Sequence, residues 1–313
     1  MIGALLLLAA QVAGAPLPEG LSAEARAGLA ADAARPKTAR TMDERRAASE
    51  AIQQDIGQRQ LRRYGVTMAE GRVAGVPVRI FTPRGARRDG PVLLNLHGGG
   101  FVVDSGSITE NVPVAALTGY KVIAVRYRLV PEAPFPAALD DALAVYRALA
   151  RTTPPRRIGV YGTSAGAILT AQLTARLRRD RLALPGAIGI FSGSGDLSQP
   201  GDSAEMMAGT APLRAVAQAY AGTRALDDPA LSPARGPLEG WPPTLCVASS
   251  RDYLLSATAT LCRKLDAGGS PARFVMFDGL PHAFWSYIEA PESDEAFAVM
   301  ARFLKTTLTD TRP

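Results

Sequence analysis

The run Gly162-Thr163-Ser164-Ala165-Gly166 constrains this chain more than any other stretch. The apolar segment Arg157-Ile158-Gly159-Val160-Tyr161 precedes it and reads as a buried strand. A helical pattern, Ala167-Ile168-Leu169-Thr170-Ala171-Gln172-Leu173, follows. A serine between two glycines at a strand-to-helix turn has the G-x-S-x-G form of a nucleophile elbow. Such a turn is so tight that its neighbours must be small, a need that Gly162 and Gly166 meet. The serine oxygen then stands above the end of the sheet, and the next backbone N–H faces any oxyanion formed there. Taken alone, the pentapeptide also fits an ordinary strand-to-helix connection with a capping serine.

The surrounding chain supplies the context. Residues 19–64 read as helical, with a break at Arg35-Pro36, and residues 72–83 as a hairpin turning at Gly75. Strands are then expected at 91–96, 121–127, 157–161, 187–191, 243–248 and 272–277. Helices are expected at 109–118, 135–150, 165–180, 255–267 and 293–308. This alternation predicts an α/β fold: a mostly parallel eight-stranded sheet covered by helices on both faces. Residues 198–225 interrupt the alternation and read as a partly helical insertion over one end of the sheet. Ligands bind such sheets beyond the carboxyl ends of the strands. Ser164, His97, Asp252 and His282 each come shortly after an expected strand, so four polar groups arrive at one edge.

Serine is a weak nucleophile until a base takes its proton. The chain has only two histidines, His97 and His282, so a histidine base has only two candidates. His282 lies in Leu280-Pro281-His282-Ala283-Phe284, after the last expected strand, and is the candidate base. Asp252 is the candidate acid that orients the imidazole. It also lies just before a helix and could cap it. Asp278 and Asp266 are the alternative acids. His97 opens His97-Gly98-Gly99-Gly100-Phe101, whose glycines leave backbone N–H groups uncovered for an oxyanion. A phosphate loop is disfavoured, because the G-x-G-x-x-G spacing and a following Lys-Ser/Thr are absent. His97 is expected to anchor this loop.

The net charge is +6 among 313 residues, with arginines scattered and no basic tail or aromatic-basic stripe. That charge reads as solvated surface and argues against nucleic acid as a partner. Met1-Ile2-Gly3-Ala4-Leu5-Leu6-Leu7-Leu8 opens an apolar run, and Ala13-Gly14-Ala15 has the small-x-small form of a cleavage site. Residues 1–15 therefore read as an export signal, for a periplasmic or secreted protein; a first amphipathic helix of a cytoplasmic protein is the competing reading. The run is too short to span a bilayer, so no stable membrane insertion is expected. Cys246 and Cys262 read as small buried hydrophobes, with a disulfide left open if the protein is exported.

The motifs His97-Gly98-Gly99-Gly100-Phe101, Tyr127-Arg128-Leu129-Val130-Pro131-Glu132, Phe135-Pro136-Ala137-Ala138-Leu139-Asp140-Asp141 and Gly162-Thr163-Ser164-Ala165-Gly166, in this order, resemble the bacterial hormone-sensitive lipase family of esterases, over roughly residues 70–310. The resemblance implies an α/β-hydrolase fold with a helical cap. Residues 16–70 would hold the N-terminal cap helices, and 71–313 the catalytic domain with a cap insertion at about 198–225. It makes Ser164 the nucleophile, His282 the base and Asp252 the acid. The oxyanion donors would be the amides of Gly99, Gly100 and Ala165, with Gly98 shaping the turn beside them. His97, Tyr127 and Glu132 would be structural supports, the last as a buried, paired carboxylate. Neither metal nor organic cofactor is implied. The chain departs from the family pattern at Thr163, where Asp is common, at Ala167, where a third elbow glycine is common, and at Tyr253, where Pro is usual. The implied activity is hydrolysis of a small carboxylic ester or lactone by a monomer or homodimer. An amidase or peptidase, and a binding protein that has lost catalysis, are the alternatives. Met206, Met207, Leu213, Val216 and Tyr220 either line the acyl pocket or pack the cap.

Overall fold

The computed structural model describes residues 16–35 and 38–309. The expected export signal, residues 1–15, and Pro36 at the expected helix break lie outside the described residues. Two helices come first, α1 (Ala23–Ala33) and α2 (Met42–Tyr64). Thr41 and Glu44 cap α2 reciprocally, each side chain accepting from the other's end of the first turn. A hairpin follows, β1 (Val66–Val73) and β2 (Val76–Pro83), paired in register from Val66↔Pro83 to Val73↔Val76. Its two-residue turn, Ala74-Gly75, has positive φ at both positions, the backbone that matches strand twist.

The chain then alternates through β3 (Val92–Leu96), α3 (Asn111–Thr118), β4 (Lys121–Val125), α4 (Ala137–Ala150), β5 (Ile158–Thr163), α5 (Ala165–Arg179) and β6 (Ala187–Phe191). Two short helices interrupt, α6 (Asp202–Ala208) and α7 (Thr210–Ala221). The alternation then resumes with β7 (Thr244–Arg251), α8 (Leu255–Ala267), β8 (Ala272–Pro281) and α9 (Pro291–Thr309). The strands form one sheet in the order β1-β2-β4-β3-β5-β6-β7-β8. Only β2 runs against its neighbours; from β4 to β8 every pair is parallel.

Successive strand residues point to opposite faces, so each strand feeds two cores. Leu94, Ile123, Val160, Ile190 and Cys246 enter one core with α4, α5 and α8. Leu93, Val122, Tyr161, Phe191 and Val247 enter the other with α1, α3 and α9. Burial on both faces explains why the central strands read as near-continuous apolar runs. The edge strands read less clearly. β1 starts at Val66, well before the expected 72, because most of it is solvent-facing and polar residues such as Glu70 hide its period. β7 and β8 likewise run past 248 and 277, to Arg251 and Pro281. Among the described residues, no helix is long and apolar enough to cross a membrane. Cys246 and Cys262 are free thiols buried in the first core.

Candidate active site

β5 ends at Thr163 and α5 begins at Ala165, leaving one residue to reverse the chain. Ser164 does so with φ 57° and ψ −121°, a conformation that a non-glycine residue adopts only at a cost. The backbone is held there by the Ser164 N–H donating to the Phe191 carbonyl at 2.9 Å. The flanking glycines are sterically required. A Cβ on Gly166 would lie 1.8 Å from the Leu96 carbonyl oxygen, and one on Gly162 only 2.3 Å from that of Gly166. The third small position is shared differently. Ala167 carries the methyl, and Gly193 opposite it has no room for one, since the two Cβ atoms would stand 2.2 Å apart.

Asp252 follows β7 directly, and His282 follows β8 directly. The parallel pairing of these strands delivers both side chains to the edge where Ser164 stands. His282 Nδ1 lies 2.7 Å from Asp252 Oδ1, and Nε2 lies 2.9 Å from Ser164 Oγ. A carboxylate can only accept, so Nδ1 carries the proton and Nε2 is left to accept from the serine hydroxyl. Asp252 is fully buried, and the same Oδ1 accepts the Leu254 N–H at 2.8 Å. Asp252 faces His282 but is not the N-cap of α8, which is Leu254; its Oδ1 bonds the amide of that residue, one position before the helix begins. Its Oδ2 has no partner among the described residues, so the carboxylate charge is directed at the imidazole and that amide. Asp278 and Asp266 are exposed, and Asp278 accepts from Ser250 instead.

Two aromatic residues hold His282. Tyr287 donates to its carbonyl at 3.1 Å, and the Tyr253 ring stacks on the imidazole with centroids 4.1 Å apart. Burial pushes the Tyr253 hydroxyl well above the usual phenol range. The tyrosine that replaces the expected proline is therefore part of the site.

Gly99 and Gly100, with φ of 113° and 61°, turn the loop after β3 toward Ser164. A Cβ on Gly99 would lie 2.0 Å from the Val103 carbonyl oxygen. Gly99, Gly100 and Ala165 line the cavity beside Ser164, whereas Gly98 packs behind it, its α-carbon face against the Thr163 carbonyl. Among the described residues, none of the three amides lining the cavity has an intramolecular acceptor. His97 is tied into the base of this loop. Its ring stacks on Tyr127 at 4.1 Å, its carbonyl accepts the Tyr127 hydroxyl at 2.7 Å, and its Nδ1 lies 2.8 Å from the Gly98 oxygen. Burial lowers its pKa, against the opposing pull of Asp104.

The expectation for Glu132 is corrected. It is paired, with Arg46 at 2.7 Å, but its side chain is 61 % exposed, because it lies on the outer side of the turn that α2 covers. Two carboxylates stand behind the site: Glu110, which is buried, and Asp104, which is half-buried. Asp104 accepts the amides of Gly106 and Ser107 and faces Arg79 at 3.4 Å. Burial opposes its charge, but His97, Ser107 and Arg79 together hold its carboxyl below the ordinary range. Arg79 is itself fully buried and also bonds Glu50 on α2 and Glu70 on β1. Glu110 lies between Ser286 and the elbow, and burial raises its carboxyl to about 7. The Asp104-Ser105-Gly106-Ser107 run has an Asx-turn composition that could have pointed to Asp104. Nothing local marks Glu110 or Arg79.

The cavity above Ser164 measures about 400 Å³. Its wall comes from the glycine loop, the elbow, α7 and the first turn of α2. Leu213 and Val216 line it; Tyr220 instead stacks on Phe101 at 3.6 Å, and Met206 is exposed. Among the described residues, no cluster of His, Cys, Asp or Glu could hold a metal ion.

A profile of the alpha/beta hydrolase fold matches residues 93–286. The chain belongs to that family. An acetyl-hydrolase of Streptomyces hygroscopicus is 35 % identical to it over 233 residues, 71 % of this chain and 78 % of that protein. An ethyl acetate hydrolase of Pseudomonas putida is 31 % identical over 253 residues, 74 % and 79 % of the two chains. The crystal structure of an esterase from the bacterial hormone-sensitive lipase family superposes with a TM-score of 0.81 at 29 % identity, covering 92 % of this chain and 99 % of that one. The family resemblance of the motifs thus extends to the whole architecture.

Proposed function

We propose that this α/β-hydrolase is a carboxylic ester hydrolase acting on short-chain esters or lactones. The observation that carries the reading is the continuous line from Asp252 through His282 to Ser164, ending in a cavity lined by unused amides. Ser164 Oγ attacks the ester carbonyl while His282 Nε2 takes its proton. Asp252 stabilises the imidazolium that results. The oxyanion is held by the N–H groups of Gly99, Gly100 and Ala165. Collapse breaks the bond to the alcohol, which leaves with the proton from His282, and an acyl-serine remains. Water then attacks the acyl-serine with His282 again as base, and the carboxylic acid departs. The small cavity, and relatives named for acetyl and ethyl acetate hydrolysis, support a short acyl group. The reading needs neither metal nor cofactor.

The test is a hydrolysis screen over acyl length and alcohol type, run beside Ser164→Ala. Turnover of short esters that disappears in the variant is expected. Full activity in Ser164→Ala would falsify the reading. Matched amides distinguish an esterase from an amidase. Export after Ala15 is a separate proposal, resting on residues 1–15 alone; N-terminal sequencing of the natural product that begins before Pro16 would sink it.

A further inference from the structure

The wall of the cavity carries a charge imbalance that ester hydrolysis alone does not call for. Most of that wall is apolar, with Val103, Ile168, Leu197, Leu213 and Val216 among its residues. Three residues that line it are charged: Arg45 from the first turn of α2, Arg214 from α7, and Asp196. Asp196 is already neutralised. Its Oδ2 accepts Arg235 Nε at 2.7 Å, and its Oδ1 accepts the Ser198 amide and hydroxyl. Arg45 and Arg214 are different. Among the described residues, neither guanidinium has an ion-pair or hydrogen-bond partner, and the Nε of Arg45 is buried without an acceptor. The adjacent Arg46 shows what the same helix turn can do with a guanidinium: it bonds Glu132 and the carbonyls of Val102 and Val130.

Two uncompensated cations beside an apolar concave wall raise the local potential for anions, and low-dielectric walls focus that field. A buried Nε–H without an acceptor is costly, and an anion arriving there would satisfy it. Guanidinium donors match the planar fork of a carboxylate. The two arginines come from two separate segments, α2 and α7.

We infer that the preferred substrate of this site is an ester that carries a second, ionised carboxylate remote from the scissile bond, held by Arg45 and Arg214. The inference rests on the ester-hydrolase reading above and specifies its substrate class. The carboxylate takes no part in the chemistry; water still divides the ester into alcohol and acid.

Three near-isosteric esters test it: ethyl butyrate, which is neutral; monoethyl succinate, with the carboxylate on the acyl side; and butyryloxyacetate, with the carboxylate on the alcohol side. The expected result is a kcat/KM for one charged ester at least about tenfold above that for ethyl butyrate, as one charge-assisted contact allows, with the gain mainly in KM. Whichever arm shows the gain identifies the end of the ester that faces the arginines. In Arg45→Gln/Arg214→Gln the charged-to-neutral ratio is expected to fall by about tenfold or more, and in Arg45→Lys/Arg214→Lys to recover in part. Raising the salt concentration is expected to raise KM for the charged ester only. Ratios near unity in the unsubstituted protein, or a ratio unmoved by the double Gln variant, would overturn the inference. Ethyl butyrate keeps the two readings apart. If it is hydrolysed through Ser164 while the charged esters gain nothing, the charge inference fails and the esterase reading stands. If no ester is hydrolysed, both fail.

Discussion

The Tyr253 ring lies against the His282 imidazole, with centroids 4.1 Å apart and planes 25° apart. One turn at the end of β7 thus supplies both contacts to His282, the Asp252 carboxylate and the neighbouring Tyr253 ring. Tyr253→Ala removes that support and is expected to lower kcat at least about tenfold, the order of loss that misplacing a catalytic group brings. Tyr253→Phe keeps the stack and is expected to retain most of the activity. Equal loss in both variants, measured by steady-state ester hydrolysis, would refute a stacking role.

The hydrogen-bonded line from Asp252 to Ser164 makes a sharper demand. Asp252→Asn keeps the shape but presents a side-chain amide to His282, which favours the wrong imidazole tautomer. A fall in kcat on the order of 10³ to 10⁴ is expected. Asp278→Asn, at an exposed position that contacts Ser250, is expected to stay within about threefold of the parent enzyme. A large loss at 278 with little at 252 would reassign the acid.

Ala167 and Gly193 divide a single methyl-sized space. Gly193→Ala is expected to destabilise the fold by about 1–3 kcal/mol through overpacking. Ala167→Gly in the same chain vacates the space and should restore most of that loss. Thermal or denaturant unfolding of both singles and the double measures the coupling. Additive effects would mean that the two positions do not share the space.

Glu110 predicts a pH dependence of stability. Folding raises its carboxyl from the ordinary value of 4.5 to about 7, because burial disfavours the charge. The folded chain thus holds this proton more tightly than the unfolded one. The group's contribution to stability is full below 4.5, declines as pH rises toward 7, and is lost above it. Glu110→Gln is expected to flatten this decline in unfolding free energy measured from pH 4.5 to 7.5, a window framing those two values. An unchanged slope in the variant would show that other groups produce it.

Arg79 ties β2 to α2, β1 and the glycine loop through Glu50, Glu70 and Asp104. Arg79→Met leaves those carboxylates without their shared cation. A loss of about 3 kcal/mol is expected, at the low end for a buried pair because Glu50 and Glu70 are partly solvated. Urea unfolding checks it, and a loss below about 1 kcal/mol would mean that solvent replaces the cation.

The sequence by itself determined the order of the elements, the elbow and the residues that meet at its edge. Those features depend on local rules: apolar runs of strand length, glycines where no Cβ fits, and polar residues placed directly after strands. Of the two histidines, His282 stands beside Ser164, whereas His97 is stacked on Tyr127 behind the glycine loop. Tertiary structure alone decided which carboxylates are buried. Glu132 has the motif and is exposed, whereas Glu110, with no local signal, is buried and Asp104, with a weaker one, is half-buried. It also decided that Arg45 and Arg46, neighbours in sequence, part company: Arg46 is paired with Glu132, whereas Arg45 lines the cavity with no partner among the described residues. Burial and charge pairing are sums over residues distant in the chain, so no local pattern encodes them.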